Sequence, residues 1–245
     1  MSAIAHGGHA IAGPVDEARV DALVAGLALA TGATVLDMGC GGGEWLLRIL
    51  ERHDVRGVGV DRSAAALARA RAEAERRVAP GRLELVQAHA ADFPPDPRGY
   101  DLVLCAGSTH VYGGLAGTLV ALAALVRPGG LAVVGEGFWE RPPDGAALAG
   151  LEGALPDDFL DLPGTVARCT DAGFAMLSAL VSDQREWDEY EFAWTGALEA
   201  HVRAHPADPD AAALQDEARS HRDGYLRGYR GTLGYVTMLL GAPIR

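Results

Sequence analysis

Basic residues are in short supply: 33 Asp and Glu stand against 21 Lys and Arg, for a formal charge of −12. Such a chain repels phosphate backbones and anionic headgroups, so nucleic acid is a poor partner and a membrane surface no better. Cysteine is sparse too. Cys40, Cys105 and Cys169 are odd in number and widely spaced, with no C-x-x-C and no histidine cluster at ligand spacing. Neither a disulfide framework nor a metal site is indicated, and reduced thiols in a cytoplasmic protein fit best. The N-terminus has no basic region followed by an apolar stretch, and no run of about 18 uninterrupted apolar residues occurs. Nothing read this way targets or spans a membrane. What is abundant is apolar side chain, 49% of 245 residues, ample for a packed core without staples.

The apolar residues fall into an alternating series. Val15 to Ala30 has helical spacing, "ATVLDMG" reads as a buried strand, and Trp45 to Glu51 is helical. Gly57 to Val60 makes a second strand ending at Asp61, and Ser63 caps an Ala- and Arg-rich helix running to about Val78. "RLELVQA" is a third strand, "YDLVLCAG" a fourth, Leu115 to Val126 a helix closed by "RPGG", and "GLAVVGEGFW" a fifth strand. Short apolar strands alternating with helices predict a doubly wound, mostly parallel sheet. Later come a helix over Pro163 to Ala172, a strand candidate in "FAMLSALVS", helices over Gln184 to Ala204 and Ala211 to Arg230, and a last strand in "GTLGYVTMLLG". The expected fold is one α/β domain over residues 1–245, a seven-stranded sheet with an antiparallel edge pair, and a small helical cap inserted at about 184–230.

The segment "VLDMGCGGGEW" lies at the carboxyl edge of the first strand, where open parallel sheets bind ligands. Its glycines bring bare amides against a ligand and permit a tight turn. A dinucleotide fingerprint fits only if Glu44 replaces the last small residue, and a carboxylate there would repel a pyrophosphate. The segment resembles the first motif of the class I S-adenosylmethionine-dependent methyltransferases, D-x-G-C-G-x-G, through Asp37, Gly39, Cys40, Gly41 and Gly43. The resemblance continues with Asp61 after the second strand and with "DLVLCAG" and "LVRPGGLAVVGEG", and covers about Val15 to Trp139 well. It implies S-adenosylmethionine as cofactor, its methionyl end on the glycine amides and its ribose hydroxyls on Asp61, with Arg62 adjacent. A ribose diol suits a carboxylate about twenty residues beyond the loop; capping of the next helix is the plainer reading of Asp61. Asp37 orders the loop or faces the cofactor's amino group through water, and Cys40 reads as a small packing residue. Near the adenine, His89 stands where relatives carry a carboxylate, which leaves Asp92 and the Ala90 or Ala91 amide as partners. Cys105 and Ser108, at the end of the fourth strand, complete the expected cofactor contacts.

Methyl transfer from a sulfonium is an in-line displacement helped mostly by alignment in a dry pocket. A hydroxyl acceptor needs a base within reach, while a neutral amine needs only positioning. In "CAGSTHVYGG" His110 is the candidate base, because its pKa lies near working pH; bonding of the loop backbone is the alternative. Glu136 lies between glycines at the end of a buried strand, a costly place for a carboxylate unless it is paired, solvated or recognising something. Tyr112, Trp139, Trp187, Tyr190 and Glu191 are the expected acceptor-side residues, although aromatics at helical spacing also make packing seams. The charge and the lack of an N-P-P-Y run favour a small-molecule acceptor over nucleic acid. "HGGHAIAG" reads as a segment that orders over the cofactor or as a simple tail, and has too few ligands for a metal. The aromatic face of the late helices would permit a homodimer. A nicotinamide-dependent oxidoreductase and a non-catalytic cofactor-binding regulatory module are the competing classes.

Overall fold

Strand and helix formation follow directly from where the apolar side chains fall. The computed structural model describes residues 2–5, 10–94 and 96–244. His6 and His9 of the "HGGHAIAG" segment lie outside the described residues. In chain order the regular elements are α1 (Ser2–Ala5), α2 (Glu17–Ala25), β1 (Thr34–Met38), α3 (Glu44–Arg52), β2 (Arg56–Asp61), α4 (Ala64–Arg77) and β3 (Leu83–Gln87). Then follow β4 (Tyr100–Ala106), α5 (Leu115–Leu125), β5 (Val126–Trp139), α6 (Gly145–Gly150), α7 (Leu162–Asp171) and β6 (Ala175–Val181). Helices α8 (Gln184–Ala204) and α9 (Ala211–Gly224) and strand β7 (Leu233–Gly241) complete the chain, with a π-turn over Tyr225–Tyr229 before β7.

The seven strands form one sheet in the order β3-β2-β1-β4-β5-β7-β6, mostly parallel with an antiparallel edge pair, as expected. The order reverses at β1 and β4, and a switch point of this kind leaves a ligand crevice at the carboxyl ends of the strands. In β1, Val35, Leu36, Asp37 and Met38 are all buried, and β1 pairs in parallel with β2 and β4. A strand covered on both faces has no room for polar alternation, which is why, Asp37 apart, its buried residues are apolar. Helix α3 buries Trp45, Leu46, Leu47, Ile49 and Leu50. Full burial of such side chains is worth roughly 1.5–3 kcal/mol each, enough to hold a nine-residue helix with little intrinsic stability. Ser63 caps α4 as expected, its hydroxyl accepting from Ala66 N at 3.2 Å.

Three boundaries differ from the sequence expectation. Helix α2 is shorter, because Gly26 N donates to both Ala22 O and Leu23 O at 3.1 Å and closes the last turn. The "RPGG" segment lies inside β5 rather than before it: Tyr100 pairs with Val126 and Leu102 with Leu131, so residues 127–130 bulge out of the ladder. The final predicted helix ends at Gly224 and widens into the π-turn.

By contacts the chain divides into two compact units. One comprises Glu17–Glu136, Pro163–Leu180 and Val236–Arg245, and carries most of the sheet. The other comprises Met1–Asp16, Gly137–Leu162 and Val181–Tyr235. The helical part is therefore built from more of the chain than residues 184–230 alone. Its core gathers Trp139, Ala147, Trp187, Tyr225, Tyr229 and Leu233, with a second cluster of Ala5, Leu198, Val202, Leu214 and Ala218.

Candidate active site

In the sheet unit, the turn after β1 is built by its glycines. Gly39 has φ 73°, and a Cβ added there would stand 2.3 Å from Ser108 Oγ, so a side chain is excluded by backbone and space together. The amides of Gly39 and Cys40 both donate to Val60 O, at 2.8 and 3.0 Å, which fastens the turn to β2. At Gly41 and Gly42 the reason is different. A Cβ there would meet nothing within 4 Å, so the bare backbone borders open space that a ligand can enter. Asp61 closes this space from β2: Oδ2 accepts from Gly41 N at 2.9 Å and Oδ1 from Ser63 N at 2.7 Å. Each carboxylate oxygen retains a second lone pair for a hydroxyl donor, so its bonds to Gly41 N and Ser63 N leave room for the ribose contact expected of it. These residues fit an adenosyl ligand with a ribose diol.

Asp37 is 4% exposed, and among the described residues no donor reaches its carboxylate. Burial, and then the charge of Asp61, push its pKa up to about 7. Cys40 packs against the backbone, its sulfur 3.0 Å from where a Cβ on Gly59 would be. Burial, Asp37 and Asp61 all push the Cys40 thiol up, which makes it inert and agrees with a packing role. Cys105 corrects the expected contact set. It is fully buried in β4, with its thiol pushed up to about 12 by burial first and Asp37 second, so its side chain is closed off from a ligand.

Glu44 also requires a correction. The carboxylate expected to repel a diphosphate is paired with Arg48 at 2.7 Å and Arg77 at 2.6 Å, and its side chain is only 12% exposed. It braces α3 against α4, so its charge does not discriminate between ligands in the way the sequence suggested.

The loops after β3 and β4 meet over the carboxyl edge. His89 precedes a short 3-10 turn, Ala90–Asp92, in which Ala90 is buried while Ala91 and Asp92 are exposed; Asp92 N donates to His89 O at 2.9 Å. Asp92 and the Ala91 amide are thus open to an adenine. Arg62 is exposed, and its carbonyl accepts from Gln87 Nε2 at 3.3 Å. Tyr112, expected on the acceptor side, donates its hydroxyl to Ala90 O at 3.2 Å and so ties the two loops together. Burial pushes its pKa up to about 12, which keeps it a donor. Ser108 Oγ donates to Gly39 O at 3.2 Å.

His110 is exposed on the 3-10 turn Thr109–Tyr112, while its neighbour Thr109 is buried. Thr109 Oγ1 donates to Glu136 Oε1 at 3.3 Å, and Glu136 is 7% exposed. Thr109 is the residue that sequence reading passed over. Its signal was present, a hydroxyl between Ser108 and His110 in "STHVYGG", but nothing in the sequence showed which of the three turns inward.

In the helical unit the acceptor-side candidates form a packing and hydrogen-bond network. Trp139 is buried, donates Nε1 to Pro156 O at 2.8 Å and meets Phe159 edge-on at 5.3 Å. Trp187 is buried edge-on to Tyr229 at 6.2 Å. Glu191 is buried: Oε1 accepts from Tyr229 OH at 2.8 Å and Oε2 lies 2.6 Å from His221 Nε2. Tyr190 is half-buried beside it, its pKa pushed up to about 12 by burial and then by Glu191. Trp194 stacks on His221 at 4.0 Å. The aromatic face of α8 is thus turned inward. Among the described residues no group of three or more His, Cys, Asp or Glu is arranged to hold a metal, and no helix is long and apolar enough to cross a membrane.

A glycine turn at a sheet switch point, a carboxylate from β2 and an open backbone floor define a class I S-adenosylmethionine-dependent methyltransferase, and the chain belongs to that family. Residues 35–130 match a methyltransferase domain. The uncharacterized protein YjhP of Escherichia coli K12 is 30% identical over 233 residues, covering 95% of this chain and 94% of that protein. A S-adenosylmethionine-dependent methyltransferase of Geobacter sulfurreducens, solved with S-adenosylhomocysteine, superposes with a TM-score of 0.90 at 30% identity over 98% of this chain and 96% of that one. A Thiobacillus denitrificans methyltransferase with the same ligand gives a TM-score of 0.88 at 30% identity over 98% and 97%. The protein is accordingly an enzyme that uses S-adenosylmethionine.

Proposed function

We propose that this enzyme moves the methyl group to an oxygen or nitrogen of a small-molecule acceptor, with Glu136 as the group that recognises the acceptor or takes its proton. The observation that carries this reading is a carboxylate, buried and held by Thr109, at the carboxyl edge of β5. Asp37 on β1 registers with Leu104 on β4, and Ala106 on β4 with Gly135 on β5. Two strand spacings, about 10 Å, therefore separate the cofactor turn from the neighbourhood of Glu136, a span that a sulfonium and a small acceptor can fill.

The cofactor, when bound, supplies the electrophilic methyl group. The chain's part is to hold, align and keep dry: glycine amides and Asp61 fix the ligand, Tyr112 and Ser108 fasten the loops, and Thr109 orients Glu136. A buried carboxylate suits a hydroxyl or ammonium donor equally. His110, exposed beside Thr109, is the second candidate for acceptor positioning. A net charge of −12 supports a small acceptor over a polyanionic one. For self-association α8 has Phe192 to offer, which is 49% exposed.

The test is a screen of hydroxyl- and amine-bearing small molecules with cofactor labelled at the methyl group, products being read by mass spectrometry. Labelled O- or N-methyl product is expected, with kcat reduced about a hundredfold or more in Glu136→Gln and cofactor affinity retained. Label appearing only in nucleic acid or protein would overturn the acceptor class. Undiminished turnover by Glu136→Gln would remove this residue from the chemistry.

A further inference from the structure

Among the described residues, two buried polar atoms at the start of α8 have no hydrogen-bond partner: Oγ of Ser182 and Nε1 of Trp187. Their residues are 6% and 8% exposed. Buried polar groups are nearly always satisfied, so two on one short segment require an account. Both residues line the same cleft in the helical unit, of about 300 Å3. That is room for several waters or for a small organic molecule.

The helix terminus itself is already closed. Asp183 Oδ1 accepts from Glu186 N at 2.9 Å, and Glu186 Oε2 accepts from Asp183 N at 2.7 Å, a reciprocal cap. What is lacking is a partner for the two side chains. An indole N–H only donates and a hydroxyl can do either, so the missing group must bring an acceptor. Charge narrows its class. Arg141 borders the cleft, but its Nε donates to Gly231 O at 2.8 Å and its Nη2 to Thr232 Oγ1 at 3.4 Å. Glu140 and Asp183 lie on the same rim. An anion would meet two carboxylates against one engaged guanidinium, and a cation would leave the indole N–H unanswered. An uncharged carbonyl oxygen meets neither objection.

We propose that this cleft binds a small uncharged molecule through a carbonyl oxygen, held by the Trp187 indole N–H and the Ser182 hydroxyl, with its apolar body against Leu233 and the Trp187 ring. Each polar atom is under 1 Å2 exposed in a residue that lines the cleft, so occupation includes a rotation of the Ser182 hydroxyl and a shift of the Trp187 ring that turn both toward the ligand. The site goes beyond the methyl-transfer reading and stands or falls without it.

The test uses the full chain labelled with nitrogen-15. Its four tryptophans give four indole N–H signals, and Trp187→Phe identifies the one from Trp187. Benzamide, benzoate and benzylamine are titrated as a shape-matched series. Benzamide is expected to move the Trp187 signal saturably, with benzoate and benzylamine weaker by about tenfold, as is benzamide on Ser182→Ala; tenfold corresponds to one net hydrogen bond of ordinary size. Saturation-transfer signals from benzamide should fall similarly with Trp187→Phe, which keeps an aromatic ring, though a smaller one, and removes the donor. No saturable shift, meaning that the cleft holds water only, would overturn the proposal. So would a charged probe binding as well as benzamide, or an unchanged affinity in both variants. Calorimetry with S-adenosylhomocysteine on each variant reports an intact fold and keeps failure here distinct from failure of the methyltransferase reading.

Discussion

Asp37 in the sheet unit and Glu191 in the helical unit are buried to the same extent, each 4% exposed, yet their surroundings are opposite. Glu191 is answered from within the chain, by Tyr229 OH at 2.8 Å and His221 Nε2 at 2.6 Å. Tyr229 is pushed well above the ordinary tyrosine range by burial and then by Glu191, so it stays a donor to that carboxylate. Asp37 is reached by no donor among the described residues, and the charge that acts on it is another carboxylate, Asp61. A closed network stabilises the region that holds it, whereas a buried carboxylate without donors is a cost that a ligand can relieve. The Glu191 network is thus complete in the folded chain, whereas the Asp37 carboxylate is left for a ligand to answer.

The strongest way to break this comparison is to fill the turn. Gly39→Val places a branched side chain at φ 73° and into Ser108, 2.3 Å from its hydroxyl. S-adenosylhomocysteine affinity measured by calorimetry should fall by about a thousandfold or become undetectable, roughly 4 kcal/mol. Gly39→Ala combined with Ser108→Gly removes the clash but not the backbone strain, and should recover part of the loss. Full recovery would mean that space rather than φ selects glycine here.

Breaking the closed side should do the reverse. Glu191→Leu leaves Tyr229 OH and His221 facing an apolar group, a loss of about 3 kcal/mol in urea unfolding by the usual cost of removing one partner of a buried pair. Affinity for S-adenosylhomocysteine should change less than about threefold, because Glu191 lies on α8 whereas the residues expected to hold the cofactor lie on β1, β2 and the turns after the strands. A large affinity loss without destabilisation would show that Glu191 belongs to a ligand site after all. Asp61→Asn comes next: it retains an acceptor for Gly41 N or Ser63 N but loses the charge. Calorimetry should record about a thirtyfold weaker S-adenosylhomocysteine, near 2 kcal/mol, the range of hydrogen bonds to a charged group.

The sheet half was largely legible in the sequence because its signals are local. Buried parallel strands read as apolar runs, Ser63 announces a cap, and the turn from Gly39 to Gly43 is a motif whose backbone needs are visible in residue type. The helical half was legible as helices but not as contacts. Trp139, Trp187 and Glu191 looked like acceptor groups because aromatics and a carboxylate at helical spacing suit a pocket as well as a core. Which of the two applies depends on Pro156, Tyr229 and His221, which come from distant parts of the chain. Glu44 shows the same limit inside the motif, since its partner Arg77 lies 33 residues away and only the fold brings them together. Thr109 was hidden for a related reason, as the inward turn of one hydroxyl among neighbours is a property of the loop.

The subtlest separation of the two regions is in pH. The pKa of Asp37 is raised from the ordinary 3.8 to about 7, so the folded protein holds this proton where the unfolded chain has lost it. With more protons bound in the native state, stability falls as pH rises through that window and levels off above about 7, with a slope from this group of at most about 1.4 kcal/mol per pH unit. Urea unfolding of the native chain against Asp37→Asn should show that slope as the difference between them. Saturating S-adenosylhomocysteine, whose amino group can face the carboxylate through water, should flatten the difference, because the ligand then answers the charge that the chain leaves open. The Glu191→Leu chain without ligand should keep the slope, since the network it breaks is closed within its own unit. A slope that persists unchanged with ligand bound would place the cofactor's amino group away from Asp37, and the turn would then bind through Asp61 and the glycine amides alone.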